Sequence, residues 1–113
     1  YGIKEIILRN GKTYWKRNSP ERKKVIKRKT HIRIKTLLNA VVNEGTAKSL
    51  SNLPYKIYGK TGTSQKNRDA WFIGCAKGYV IGVWNGRDDD KSMINIFGST
   101  LPINIFKRIA NNL

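Results

Sequence analysis

The chain is poor in the residues that build covalent or metal frameworks. It has one cysteine, Cys75, and one histidine, His31, in 113 residues. A lone thiol excludes an internal disulfide and leaves no cysteine cluster for zinc. Acidic side chains are equally scarce, seven against 23 Lys and Arg, for a formal net charge of +16. Long apolar runs are missing too. The longest, Trp71 to Trp84, is broken by Lys77 and by glycines, and is too short to cross a bilayer as a helix. The length allows one small domain with little margin of stability. Tyr1 opens the chain inside an apolar pattern, so the expectation is a piece of a longer protein.

What is abundant is positive charge. Residues 1–36 hold 13 of the 23 basic residues and only two acids, with the densest run from Arg22 to Lys29. Such a run suits nucleic acid, an anionic membrane face or an acidic polymer. Nucleic-acid modules add a recognition helix, a glycine-aromatic motif or zinc ligands, and this chain has none of them. Lys, Ile and Asn together make 40 of the 113 residues. All three have A/T-rich codons, so base composition offers an explanation for the excess of lysine that needs no anionic partner. No nucleic-acid partner is expected, and a basic nucleic-acid or anionic-surface binding module is kept as the alternative function.

Short elements follow one another along the chain. Ile3–Leu8 and Thr13–Trp15 flank Asn10-Gly11, which predicts a hairpin with a type I′ turn and positive φ at both central residues. A basic connector, Lys16–Lys29, is kept from being one helix by Pro20. Ile34, Leu37, Leu38, Val41 and Val42 fall on one face of a helix, capped by Thr30 and ended by a left-handed Gly45. Thr46–Pro54 reads as a loop. Three strands follow, Tyr55–Ser64, Ala70–Ala76 and Tyr79–Asn85, the last two joined by Lys77-Gly78. Leu101, Ile105 and Ile109, with Ile103 and Phe106 beside them, predict a final helix started at Pro102. This order gives an α+β fold, an antiparallel sheet with helices packed on it.

One motif carries chemistry, Gly59-Lys60-Thr61-Gly62-Thr63-Ser64. A phosphate loop would need glycine at position 54, which is Pro54, and a helix where Gly62 stands. The remaining reading is a Lys-Thr-Gly strand. A lysine ammonium there supplies fixed positive charge beside a carboxylate and a serine hydroxyl. The threonine hydroxyl can bind that carboxylate, and the glycine gives clearance. Other conspicuous residues read as structural. His31 is solvated, Cys75 is a small core-side hydrophobe, and Asp88-Asp89-Asp90 is a polar turn without the spacing of a calcium loop. Trp71, Phe72, Tyr79, Val83 and Trp84 are expected to pack against the helices, not to form a platform for single strands. Arg68 and Asp69 read as a strand-end ion pair or turn. No metal or cofactor is expected.

Around Lys60-Thr61-Gly62-Thr63-Ser64 stand Arg68-Asp69-Ala70-Trp71-Phe72-Ile73-Gly74 and Gly82-Val83-Trp84-Asn85-Gly86-Arg87-Asp88. Together with Val41-Val42-Asn43-Glu44-Gly45-Thr46 and Gly98-Ser99-Thr100-Leu101-Pro102, this resembles the transpeptidase domain of the class A penicillin-binding proteins. The resemblance spans essentially the whole chain, in the family's order. It implies the C-terminal portion (1–113) of a serine β-lactamase/penicillin-binding transpeptidase-like fold. The activity implied is D,D-transpeptidation of peptidoglycan stem peptides ending in D-Ala-D-Ala, through an acyl-serine that β-lactams also form. By position, Lys60 is the electrostatic lysine, and Thr61 and Thr63 hold the substrate carboxylate. The Thr63 N–H is half of the oxyanion hole, and Gly62 gives clearance. The family also needs Ser-x-x-Lys and Ser-x-Asn, and neither spacing occurs here. The nucleophile is therefore absent from this chain, which is expected to be inactive alone. It would be either the end of a longer enzyme, paired with the missing N-terminal part of the same domain, or a noncatalytic remnant. The resemblance places the parent at the extracytoplasmic face of the bacterial inner membrane. It also predicts an incompletely covered apolar stripe on the central helix.

Overall fold

The computed structural model describes residues 3–18 and 24–113. Tyr1-Gly2, Pro20 and the Arg22-Lys23 start of the basic run lie outside the described residues. Strands β1 (Glu5–Ile7) and β2 (Thr13–Lys16) pair antiparallel as expected. Their turn differs from expectation, because Gly11 alone has a positive φ, +80°. The Leu8 N–H donates to the Lys12 carbonyl (2.8 Å) and the Gly11 N–H to that of Leu8 (2.9 Å). This is a longer loop closed by a left-handed glycine, the bulged alternative to the two-residue turn. Asn10 favours it by accepting the Lys12 N–H on Oδ1 at 3.0 Å, a local bond that asparagine makes readily.

Helix α1 (Arg28–Asn43) begins before Thr30, with Lys27 at the N-cap and no side-chain cap. Thr30 therefore lies inside the helix. Gly45 is not left-handed either, since its φ is absent from the positive set. Its value is clearance: a Cβ there would sit 2.9 Å from the Val41 carbonyl oxygen. The chain turns tightly beneath this glycine into a 3-10 turn at Lys48–Leu50.

Strands β3 (Tyr58–Thr63), β4 (Asp69–Ala76) and β5 (Tyr79–Gly86) form a second antiparallel sheet in that order. The expected single sheet is thus two, because the β1–β2 hairpin pairs only with itself among the described residues. Lys77 and Gly78, with φ of +50° and +85°, make the primed turn that the sequence suggested for Asn10-Gly11. Helix α2 (Leu101–Asn111) packs on β4 and β5, and α1 runs beside β3.

The core lies between α2, the end of α1, the 3-10 turn and one face of the sheet. Phe72, Phe106, Leu50, Ile57 and Ile103 are its largest fully buried side chains. Each such burial contributes about 1.5–3 kcal/mol. Phe72 and Phe106 meet edge to face at 4.8 Å, over the paired glycines 59 and 74, where any Cβ would strike the rings. On α2 the buried row is Pro102, Ile103, Phe106 and Ala110, while Leu101 and Ile109 of the expected row are exposed. The aromatic expectation divides by strand alternation. Phe72 and Val83 enter the core, but Trp71 and Trp84 pair across the opposite face at 6.2 Å, and Tyr79 is exposed. Cys75 shares that opposite face, half-buried, instead of the core side.

Candidate functional site

The motif forms most of β3, which is an edge strand with β4 as its only strand partner among the described residues. Alternation puts Lys60 and Gly62 on the face of Ile73 and Trp71. Thr61 and Thr63 are on the face of Phe72 and Ala70. Lys60 is exposed, and its ammonium bends back to donate to the Thr61 carbonyl at 2.8 Å. Two of its three protons remain free for another acceptor. Lys60, Thr61, Gly62 and Thr63 thus share one edge strand, on its two alternating faces.

Segments remote in sequence touch both threonines. The Thr61 Oγ1 lies 2.7 Å from the Thr46 Oγ1, in the turn after α1. The Thr63 Oγ1 accepts the Gly98 N–H at 3.1 Å. Gly98 lies directly on the strand, since a Cβ there would be 2.6 Å from the Gly62 carbonyl oxygen. No larger residue fits without moving backbone. No sequence motif links Thr46 or Gly98 to the Lys60–Thr63 strand. Each sits in a loop whose contacts depend on how distant segments fold together.

Past the motif, the chain is closed by local bonds. The Ser64 N–H donates to the Asp69 carbonyl (3.0 Å), and the Asp69 N–H to the Ser64 hydroxyl (2.8 Å). Ser64 is therefore occupied as a turn residue. Arg68 and Asp69 do not pair with each other. Arg68 bridges to Asp90 at 2.8 Å, and Asp69 accepts the Trp84 indole N–H at 2.9 Å. In the acidic turn Arg87 grips Asp89 with two bonds of 2.7 Å. That hydrogen bonding holds the Asp89 carboxyl well below the usual carboxylate range, with help from Lys91, and raises Arg87.

The remaining candidates lie elsewhere. His31 is exposed near the start of α1, and Cys75 lines a cavity of about 410 Å³ with Leu38, Tyr58 and Val80. Among the described residues no three His, Cys, Asp or Glu side chains converge as metal ligands. No helix among them is long and apolar enough to cross a membrane.

Strand β3 thus carries an ammonium, two hydroxyls and a glycine within four consecutive residues. Comparison with known proteins gives the family. The family model described as penicillin binding protein transpeptidase domain matches residues 2–110. Penicillin-binding protein 4 of Bacillus subtilis is 34% identical over 108 residues, covering 95% of this chain and 17% of that protein. Penicillin-binding protein 1A of Aquifex aeolicus is 42% identical over 92 residues, covering 80% of this chain and 12% of the relative. Penicillin-binding protein 1B of Buchnera aphidicola is 32% identical over 106 residues, 92% of this chain and 14% of its own length. The chain belongs to the penicillin-binding protein transpeptidase domain family. It spans less than a fifth of the length of these relatives.

Proposed function

We propose that these 113 residues are the C-terminal portion of a peptidoglycan D,D-transpeptidase domain and supply its carboxylate-binding strand. In this reading the nucleophilic serine and its lysine lie on a segment outside residues 1–113. The serine Oγ attacks the carbonyl between the two terminal D-Ala residues. The C–N bond breaks, the last D-Ala leaves carrying the serine's proton, and an acyl-serine remains. An amine of a neighbouring stem peptide then takes the acyl group and returns a proton to the serine. Lys60 contributes positive charge beside the reacting groups. Thr61 and Thr63 donate to the terminal carboxylate, Gly62 lets the peptide approach, and the Thr63 N–H stabilises the developing oxyanion. A β-lactam bears the same carboxylate and enters by the same contacts. The parent protein works at the extracytoplasmic face of the inner membrane, where stem peptides are exposed.

The observation that carries this reading is the placement of Lys60–Thr63 on a sheet edge with no strand beyond it among the described residues. An extended peptide can add there as a further strand. The full-length gene product, treated with labelled penicillin, should form a stable acyl-serine, and Lys60→Ala should slow acylation by about 10²–10³-fold. The 113-residue chain alone should form none. A stoichiometric adduct on a serine of the isolated chain, or an unchanged rate in the Lys60→Ala protein, overturns the proposal. A sequence-selective nucleic-acid complex that survives physiological salt would favour the basic-module alternative instead.

A further inference from the structure

The two threonines proposed to bind the carboxylate are each met by a donor-bearing group from another part of the chain. Thr63 accepts the Gly98 N–H on Oγ1, which leaves its own hydroxyl proton uncommitted. Thr61 is the more informative case. Its Oγ1 lies 2.7 Å from that of Thr46, the ordinary separation of an O–H···O bond. A hydroxyl has one proton and two acceptor positions. Either threonine can donate in this pair, but only one arrangement leaves Thr61 a proton for a ligand. A carboxylate accepts and never donates, so its arrival selects the arrangement in which Thr46 donates to Thr61 and Thr61 donates onward. A hydroxyl that accepts one bond is polarised to donate a stronger one.

We infer that Thr46 is a positioning residue for the proposed site: it holds and polarises the Thr61 hydroxyl as a donor to the ligand's carboxylate. This rests on the reading of β3 as a carboxylate-binding strand. The turn that carries Thr46 is built to hold it still. On one side Gly45 packs against Val41 where a Cβ would be 2.9 Å from the carbonyl oxygen. On the other side Ala47 is fully buried, and its N–H donates to the same carbonyl at 3.0 Å. The helix leading into this turn is tied to the chain just before β3, where the Asn39 Nδ2 donates to the Ile57 carbonyl at 2.9 Å. The Thr61 carbonyl, meanwhile, accepts the Lys60 ammonium. Thr61 is therefore held at its hydroxyl and at its carbonyl before any ligand arrives.

The test is acylation of the full-length protein by a penicillin and by the methyl ester of the same penicillin. Thr46→Val, which keeps the shape and removes the hydroxyl, should slow acylation by the free acid about three- to tenfold. It should leave the ester unchanged. Thr46→Ser should restore the rate for the acid. In a Thr61→Val background, Thr46→Val should cost nothing further, because the two residues act as one unit. A Thr46→Val protein that acylates both compounds at the original rate overturns the inference. So does one that slows acid and ester equally, or that loses rate additively with Thr61→Val. If Lys60→Ala and Thr61→Val also leave the acid unaffected, the error lies in the strand reading itself, and the inference falls with it.

Discussion

Gly98, beside the motif, and Asp89, in the acidic turn, illustrate how much single positions are asked to do. Gly98 is pressed onto β3 and β4 so closely that a methyl group would lie 2.5 Å from the Trp71 carbonyl oxygen. Backbone cannot yield as a flexible side chain can. Gly98→Ala should therefore lift the loop before α2 off Gly62 and cost about 1–3 kcal/mol, read as a lowered thermal midpoint. It should also slow penicillin acylation, since the Thr63 bond to the Gly98 N–H is lost. Asp89 makes a different test. Its folded carboxyl titrates below the ordinary range because Arg87 hydrogen-bonds the ionised form. The contribution of that contact is present at neutral pH and is lost only as pH falls through the depressed value. An NMR titration should place the Asp89 midpoint well below the usual aspartate value near 3.9. Arg87→Ala should return it upward. Both groups are exposed, so global stability should change little.

Among the elements, α1 is the least well started. Lys27 occupies the N-cap in an extended conformation with no side-chain cap, and no acid stands in the first turn. Lysine there opposes the positive end of the helix macrodipole and leaves N–H groups unmet. Lys27→Asp supplies both an acceptor and the favourable charge. It should stabilise the fold by about 1 kcal/mol, measured as an increased thermal midpoint. Its apolar side is also only partly covered: Val42 is buried, yet Ile34 is 41% and Leu37 69% exposed. Strand β3 depends on this helix at one end through Asn39, and on β4 along its length.

At the scale of the molecule the chain is extended for its length. Its radius of gyration is 17.9 Å, against about 13 Å for a compact domain of 100 residues. Every residue from 3 to 18 is exposed, including Ile7 and Tyr14. Strand β5, Tyr79–Gly86, has a second edge with no strand beside it among the described residues. Apolar strand edges and uncovered helix faces invite association, and a net charge of +16 opposes compaction. The isolated 113-residue chain should therefore be marginally folded or self-associated. If the proposed reading holds, it should gain stability when a segment carrying the proposed remainder of the transpeptidase domain is supplied. Thermal unfolding at several concentrations, with and without that segment, measures this. A sharp, concentration-independent transition above about 65 °C for the chain alone would mean that it is self-sufficient.

Local rules, read along the chain, were enough for the α+β class, five strands, two helices and the Lys60–Thr63 motif on a strand. Those features depend on periodicity and neighbouring residues, which act over a few positions. Where those rules failed, a longer-range choice had intervened. Asn10-Gly11 took a bulged loop and Lys77-Gly78 the primed turn, because register along a whole strand pair decides which turn fits. Trp71 and Trp84 went to the face opposite the core, because the β3–β4–β5 register gives Phe72 and Val83 the inner positions. The faces of α2 were likewise assigned by the rings it meets, which put Phe106 inward and Leu101 outward. Nothing within a few residues of Thr61 or Thr63 announces Thr46 or Gly98 as a neighbour. Those contacts exist only because the turn after α1 and the loop before α2 converge on one sheet edge, and convergence of distant segments is a property of the packed chain.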